Sequence, residues 1–224
     1  MSGQIEPKTI AVVGGTGKEG FGLALRWAHA GHKVIIGSRT AEKAETAAEE
    51  INTILGRSAT TGAANPEAAS QADIVVLTVP YAAQQSTAED IRASLDGKIL
   101  IDVTVPLKPP KVNRVSLPDG RSAVEALQDK LGEGVKVVSA FQNVSAHHLK
   151  QLDHEIDCDV LVCSDDVEAA NLVVALTKQI GLRAWNAGVL ANSVVSESLT
   201  SVLIALNQRY KVPGAGIRIT GIEA

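Results

Sequence analysis

Short aliphatic runs alternate along the chain with longer stretches in which apolar positions recur every three or four residues. Thr9–Val13 (TIAVV) is an apolar run closed by glycines and predicts a strand. Phe21–Ala30 predicts a helix stopped by Gly31, and Lys33–Ile36 a second strand. Ala41–Leu55, rich in Ala and Glu, predicts a helix ending at Gly56. Asp73–Val79 predicts a third, buried strand stopped by Pro80; Ala82–Leu95 a helix; Lys98–Ile101 a fourth strand. Strands and helices alternating at this spacing argue for βαβ units and a parallel sheet.

The rhythm breaks over residues 102–120, where four prolines predict a loop of about 19 residues, longer than most connections. A loop at the carboxyl end of a strand in an open sheet is a frequent place for function, although a plain surface excursion reads the same. The pattern resumes with a helix over Ser122–Leu131 and a strand over Val135–Val138. Beyond Asn143 the character shifts. A short helix or turn is expected over His147–Leu152, a strand at Val160–Val162, a helix over Val167–Ile180 and a strand at Leu182–Trp185. Leu190–Tyr210 is the longest helical pattern, with Leu199, Val202, Leu203 and Leu206 on one face, and Gly214–Thr220 is read as a returning strand. The fold class expected is α/β, a Rossmann-type doubly wound parallel sheet over residues 1–145 with a smaller α/β domain over 146–224.

Composition narrows the function. The 224 residues carry 21 Lys+Arg against 25 Asp+Glu, a net charge of −4, and only 3% aromatics. Neither the basic footprint nor the stacking platform of a nucleic-acid binder is present, so no nucleic acid is expected as a partner. No run reaches the ~18–20 apolar residues of a membrane span, and MSGQIEPKTI does not read as a signal peptide, so no membrane partner is expected. Cys158 and Cys163 are five apart on a predicted strand and point to opposite faces, so they should stay unbonded. Their usage suits a reducing, cytoplasmic setting.

The chemistry-bearing motif is Gly15-Thr16-Gly17-Lys18-Glu19-Gly20, a G-x-G-x-x-G between a strand and a helix. Gly15 permits the tight turn, Gly17 lets the backbone approach a pyrophosphate, and Gly20 lets the helix pack against the strand. The helix N-terminus then holds the anion. The next strand ends in Gly37-Ser38-Arg39-Thr40, with no carboxylate at 37–41 to accept from a ribose 2′-OH. Ser38 can donate to a 2′-phosphate, Arg39 can meet it with a charge-assisted fork, and Lys43 follows one turn later on the same face. NADP(H) is therefore expected over NAD(H). The competing reading is that Arg39 and Lys43 are solvated charges at a helix start.

The ordered set VVGGTGKEGFGLALRWAHAGHKVIIGSR, EKAE, DIVVLTVPY, VVSAF, CDVLVCSDD and LTSVLIALNQRY…GAGIRI resembles the F420-dependent NADP oxidoreductases over nearly the whole chain. The resemblance implies hydride transfer between NADPH and the deazaflavin ring of coenzyme F420, usually in a homodimer. It implies that Thr16, Gly17, Lys18 and Glu19 lie along the NADP pyrophosphate and that Ser38, Arg39 and Lys43 take the 2′-phosphate. Tyr81 would lie near the nicotinamide ribose, Gln85, Val105 and Ala146 would touch NADP, and Ala215 would face the deazaflavin. Gln142 departs from the family, whose archaeal members carry His nearby; an uncharged amide cannot supply a proton. Ala140 and Ala146 are small enough to let two rings approach, or are plain core packing. No catalytic residue is named, because both reacting carbons belong to the cofactors.

Two other readings remain open at this level: an NADPH-dependent reductase of an imine, quinone or flavin, and a non-catalytic NADP(H)-sensing protein. The histidines and acids at 147–157 lack metal-ligand spacing, so no metal is expected. Ser196-Glu197-Ser198 reads as polar helix surface or interface, and Asp165-Asp166 as a helix cap.

Overall fold

The computed structural model describes residues 5–222. Its elements run β1 (Thr9–Val13), α1 (Lys18–His29), β2 (Lys33–Ser38), α2 (Ala41–Leu55), β3 (Thr60–Ala64), α3 (Asn65–Ser70), β4 (Ile74–Leu77), α4 (Tyr81–Ile91), β5 (Ile99–Asp102), α5 (Ala123–Leu131), β6 (Lys136–Ser139), α6 (Ala146–Leu149), β7 (Asp159–Val162), α7 (Val167–Gln179), β8 (Arg183–Asn186) and α8 (Ser193–Tyr210). Six strands form one parallel sheet in the order β3-β2-β1-β4-β5-β6, which is the doubly wound Rossmann order. β7 and β8 form a parallel pair, linked to the end of β6 by an antiparallel bridge between Ser139 and Cys163.

Period-two alternation sends successive side chains of the central strands into two cores. Ile10, Val12, Val34, Ile36, Ile74 and Val76 join the cluster under α1, α2 and α7. Ala11, Val13, Ile35, Val75 and Leu77 join the one under α3, α4 and α5. Both faces are buried, which is why these strands read as unbroken aliphatic runs. The first cluster continues across position 145, taking in Val160, Val162, Ala170 and Val173. Trp27 meets Phe141 edge-on there, with ring centroids 5.7 Å apart. Both cysteines are free and buried.

Three expectations need correction. β3 and α3 were not expected, because TTGAA is a poorly apolar edge strand. A Cβ on its Gly62 would lie 2.2 Å from the backbone nitrogen of Glu45 in α2, so only glycine lets helix and strand close up. The 214–220 stretch does not return as a strand; it lies beside the start of β7, where Asp159 N donates to the Ile217 carbonyl, and is held by single contacts. Ser196 and Glu197 are buried, not helix surface. The Glu197 carboxylate accepts from the N–H groups of Ala123 (2.9 Å) and Val124 (3.1 Å), capping α5 from 73 residues away.

Candidate functional site

A cleft of about 590 Å³ opens at the carboxyl ends of β1, β2 and β4, where the strand order reverses. Thr16, Gly17, Ser38, Arg39 and Lys43 line it together with Gly14, Thr40, Asn65, Thr78, Val79, Pro80, Ala83 and Thr87. The glycines divide the work differently from the motif reading. Gly14, not Gly15, holds the left-handed turn at φ 76°. A Cβ on Gly15 would lie 2.6 Å from the Val12 carbonyl, and one on Gly20 2.4 Å from Thr78 Oγ1, so both are packing glycines. A Cβ on Gly17 would meet only the Gly14 carbonyl, at 3.5 Å, so the loop surface there is open to a ligand. Gly17 also caps α1 without a side-chain acceptor, which leaves the first-turn N–H groups for an anion.

The far end of the cleft is cationic. Ser38 is buried at the end of β2, while Arg39 and Lys43 are exposed and make no ion pair among the described residues. This donor set fits a phosphate monoester. Asn65 and Thr78 were missed by sequence reasoning. Asn65 Oδ1 accepts from Gly14 N (3.4 Å) and Thr78 Oγ1 donates to the Val13 carbonyl (2.9 Å), so both brace the loop. The Asn65-Pro66 dipeptide, a turn signal, was the available clue.

The remaining expected contacts do not line this cleft. Lys18 is exposed and Glu19 half-buried on the first turn of α1; Gln85 is exposed on α4. Tyr81 and Val105 are half-buried at the starts of the segments after β4 and β5. Burial, with Asp119 and Glu197 nearby, raises the Tyr81 phenol. Ala146 is half-buried on α6, whereas Ala140 is fully buried and serves packing. Ala215 lines a second cavity of about 250 Å³ with Ser145, His148, His154, Cys158 and Gly214. His148 and His154 stack there with ring centroids 4.5 Å apart, and His148 Nδ1 is buried without a partner among the described residues. A Cβ on Gly214 would lie 2.3 Å from His148 Nε2, so this wall is closed by backbone. Gln142 is buried, its Nε2 donating to the Asp102 carbonyl (2.8 Å) and its own carbonyl accepting from Thr200 Oγ1 (2.6 Å).

Three carboxyls gather behind the carboxyl ends of the strands. Asp102, unexposed, accepts from Gln84 Nε2 and from Thr104 N (2.8 Å), yet burial pushes it up to about 6. Burial pushes Glu197 up to about 7; the Glu19 carboxyl, enclosed although the residue as a whole keeps partial exposure, is pushed up to about 8 by that enclosure together with the Asp102 charge. No cation pairs with them among the described residues. Acids raised in the folded state favour folding fully below their unfolded values and lose that contribution as pH climbs through 6–8. The lowered histidines His32 and His148 act oppositely, but their titration is complete by about pH 7.5. Ligand-free protein should therefore lose stability between pH 7.5 and 8.5, on the order of 1 kcal/mol per pH unit. Urea melts across that range check this, with Glu19→Gln flattening the slope because Glu19 is the group still titrating there; a flat wild-type profile contradicts it.

Fold and cleft together define an enzyme class: a Rossmann-type oxidoreductase built to bind a phosphorylated dinucleotide. Residues 9–106 match the family described as NADP oxidoreductase, coenzyme F420-dependent. The chain is 46% identical to the F420-dependent NADP reductase of Methanothermobacter thermautotrophicus over 95% of both chains. It is 45% identical to that of Methanocaldococcus jannaschii over 96% of this chain and 99% of the relative. A crystal structure from Arthrobacter sp. FB24 superposes with a TM-score of 0.79 at 28% identity, covering 96% of this chain and all of that one. The protein belongs to the F420-dependent NADP reductase family.

Proposed function

We propose that this enzyme transfers a hydride between NADPH and the deazaflavin ring of coenzyme F420. The observation that carries the reading is the cationic, carboxylate-free end of the cleft at Ser38, Arg39 and Lys43, in a chain matching F420-dependent NADP reductases almost end to end. The bound cofactors supply the chemistry, a direct hydride transfer between ring carbons. The protein supplies position and dryness. Thr16, Gly17 and the first turn of α1, with Gly15 and Gly20 shaping the turn and Lys18 and Glu19 on that turn, take the pyrophosphate. Ser38, Arg39 and Lys43 take the 2′-phosphate. Tyr81, Gln85, Val105 and Ala146 flank the nicotinamide half, and Ala215, on the backbone wall closed by Gly214, faces the deazaflavin. Gln142 holds Asp102 and Thr200 and serves as scaffold, not as an acid.

We further infer a homodimer. Val195, Val202, Leu206 and Tyr210 are exposed along one face of α8, at spacings of seven, four and four, and a second copy is the partner that covers them. Two free, buried thiols suit a reducing cytoplasm. Among the described residues no helix is long and apolar enough to cross a membrane.

The test is deazaflavin bleaching by purified enzyme with NADPH, with NADH and a free flavin as controls. Rapid bleaching with NADPH alone is expected. Tight NADPH binding without bleaching overturns the acceptor; preference for free flavin or an imine replaces it.

A further inference from the structure

Asp159, the first residue of β7, has no solvent exposure and lines neither cavity of the site. Its N–H, its carbonyl and its Oδ2 are nevertheless committed, most of them to two segments beside the proposed deazaflavin site, while Oδ1 accepts no hydrogen bond among the described residues and faces only guanidinium charge. Its N–H donates to the Ile217 carbonyl (2.8 Å) and its carbonyl accepts from Asn143 Nδ2 (2.7 Å). Its carboxylate accepts from Ile219 N (2.8 Å) and Trp185 Nε1 (2.8 Å). The guanidinium of Arg183 lies 3.1 Å from Oδ1 and that of Arg218 lies 3.7 Å away.

The 214–220 stretch has no strand partner, so these contacts decide where it sits. Besides Asp159, its backbone is held by Asn207 Oδ1 on α8, which accepts from Ala215 N (2.7 Å), by the Ile217 N–H against the Cys158 sulfur, and by a long contact from Arg183 to the Ile219 carbonyl (3.5 Å). Gly216 lies directly on Cys158, where a Cβ would approach Cys158 Cβ to 2.7 Å. The stretch therefore rests on the residue before Asp159 and is tied down by Asp159 one strand residue later. Through Asn143 the same residue holds the segment that leads from Gln142 to Ala146.

We propose that Asp159 is a positioning residue for the hydride acceptor, setting the 214–220 stretch and the 142–146 segment as the two walls of the deazaflavin site. The proposal rests on the reading that Ala215 faces the deazaflavin. Because the clamp lies on β7, outside the NADP cleft, its loss should fall on the acceptor and spare the donor.

The experiment uses the full chain loaded with NADP(H) and begins with wild-type turnover. If wild type does not bleach F420, the functional reading fails and this proposal with it. With wild type active, Asp159→Asn should raise KM for F420 about tenfold, the equivalent of one charge-assisted hydrogen bond. NADPH affinity should stay within about twofold, because uniform loss on one substrate appears in its KM alone. Amides 215–219 should exchange faster with deuterated solvent while those of β1 do not. Trp185→Phe, which removes one direct donor to the Asp159 carboxylate, should move F420 KM and tail exchange the same way by a smaller factor, and it decides the matter if Asp159→Asn does not fold; Arg218→Ala, which also breaks the Arg218 bond to Asp157, serves as a companion. Faster tail exchange with unchanged F420 KM, or an equal loss for both substrates, overturns the proposal while leaving the reaction assigned.

Discussion

Arg39→Ala is expected to weaken NADPH binding by one to two orders of magnitude and to leave NADH binding nearly unchanged. β2 ends at buried Ser38, so the chain must leave the sheet there, and Arg39 emerges at the mouth of the cleft before α2 begins. A guanidinium facing a phosphate dianion forms charge-assisted, forked hydrogen bonds, each of roughly 1.5–3 kcal/mol. At 1.4 kcal/mol per decade, losing one or two partly solvated bonds gives about ten- to a hundredfold. NADH offers no 2′-phosphate, so nothing is lost on that side. Lys43→Ala should show a smaller effect of the same sign, since an ammonium on an exposed helical turn binds as a point charge. Titrating both cofactors into wild type and variant by nicotinamide fluorescence separates the outcomes. An equal loss for the two cofactors removes the 2′-phosphate assignment, because it points to damage of the common pyrophosphate loop.

The parts of the site that were legible in the sequence are those written within a few residues of each other. Thr16 and Gly17 lie in one loop, and Ser38, Arg39 and Lys43 follow one strand end, so spacing alone places them in the cleft. The central strands were legible because burial on both faces leaves unbroken aliphatic runs at Ile10–Val13, Val34–Ile36 and Ile74–Leu77. β3 was not, because an edge strand half open to solvent can be Thr and Ala. Its Gly62, a strand breaker by propensity, is required by the backbone of α2. Asn65 was lost with it, since it reaches Gly14 across 51 residues. Glu197 was misread for a related reason. A Ser-Glu-Ser on a helix looks like surface until the unpaired N–H groups of another helix, more than 70 residues away, arrive beside it.

The largest loss of stability is expected from Arg26→Met, about 3–5 kcal/mol, or a fall in melting temperature of roughly 10 °C. Arg26 lies in the last turn of α1 and is only 6% exposed. Its guanidinium meets no carboxylate among the described residues. Instead it donates to five carbonyls: Leu149 (2.9 Å), Ile180 (3.2 Å), His148 (3.3 Å), Gln151 (2.7 Å) and His154 (3.2 Å). The charge is thus solvated by backbone dipoles and by the negative end of its own helix. Met keeps much of the apolar stem but leaves those carbonyls without donors, and each buried acceptor so stranded costs about 1–3 kcal/mol unless water reaches it. The 148–154 segment is exposed in part, so some carbonyls will be rehydrated, which brings the total below the simple sum. Lysine, with three donors instead of five, should recover only part of the loss. The first turn of α1, proposed to take the pyrophosphate, is about two turns away, so NADPH affinity should survive while the F420 KM rises with the displaced His148 and Ala146. Urea melts give the stability and paired KM values give the split. A loss under 1 kcal/mol, or one that falls on NADPH first, contradicts the role of Arg26 as the tie between α1 and the 148–154 segment.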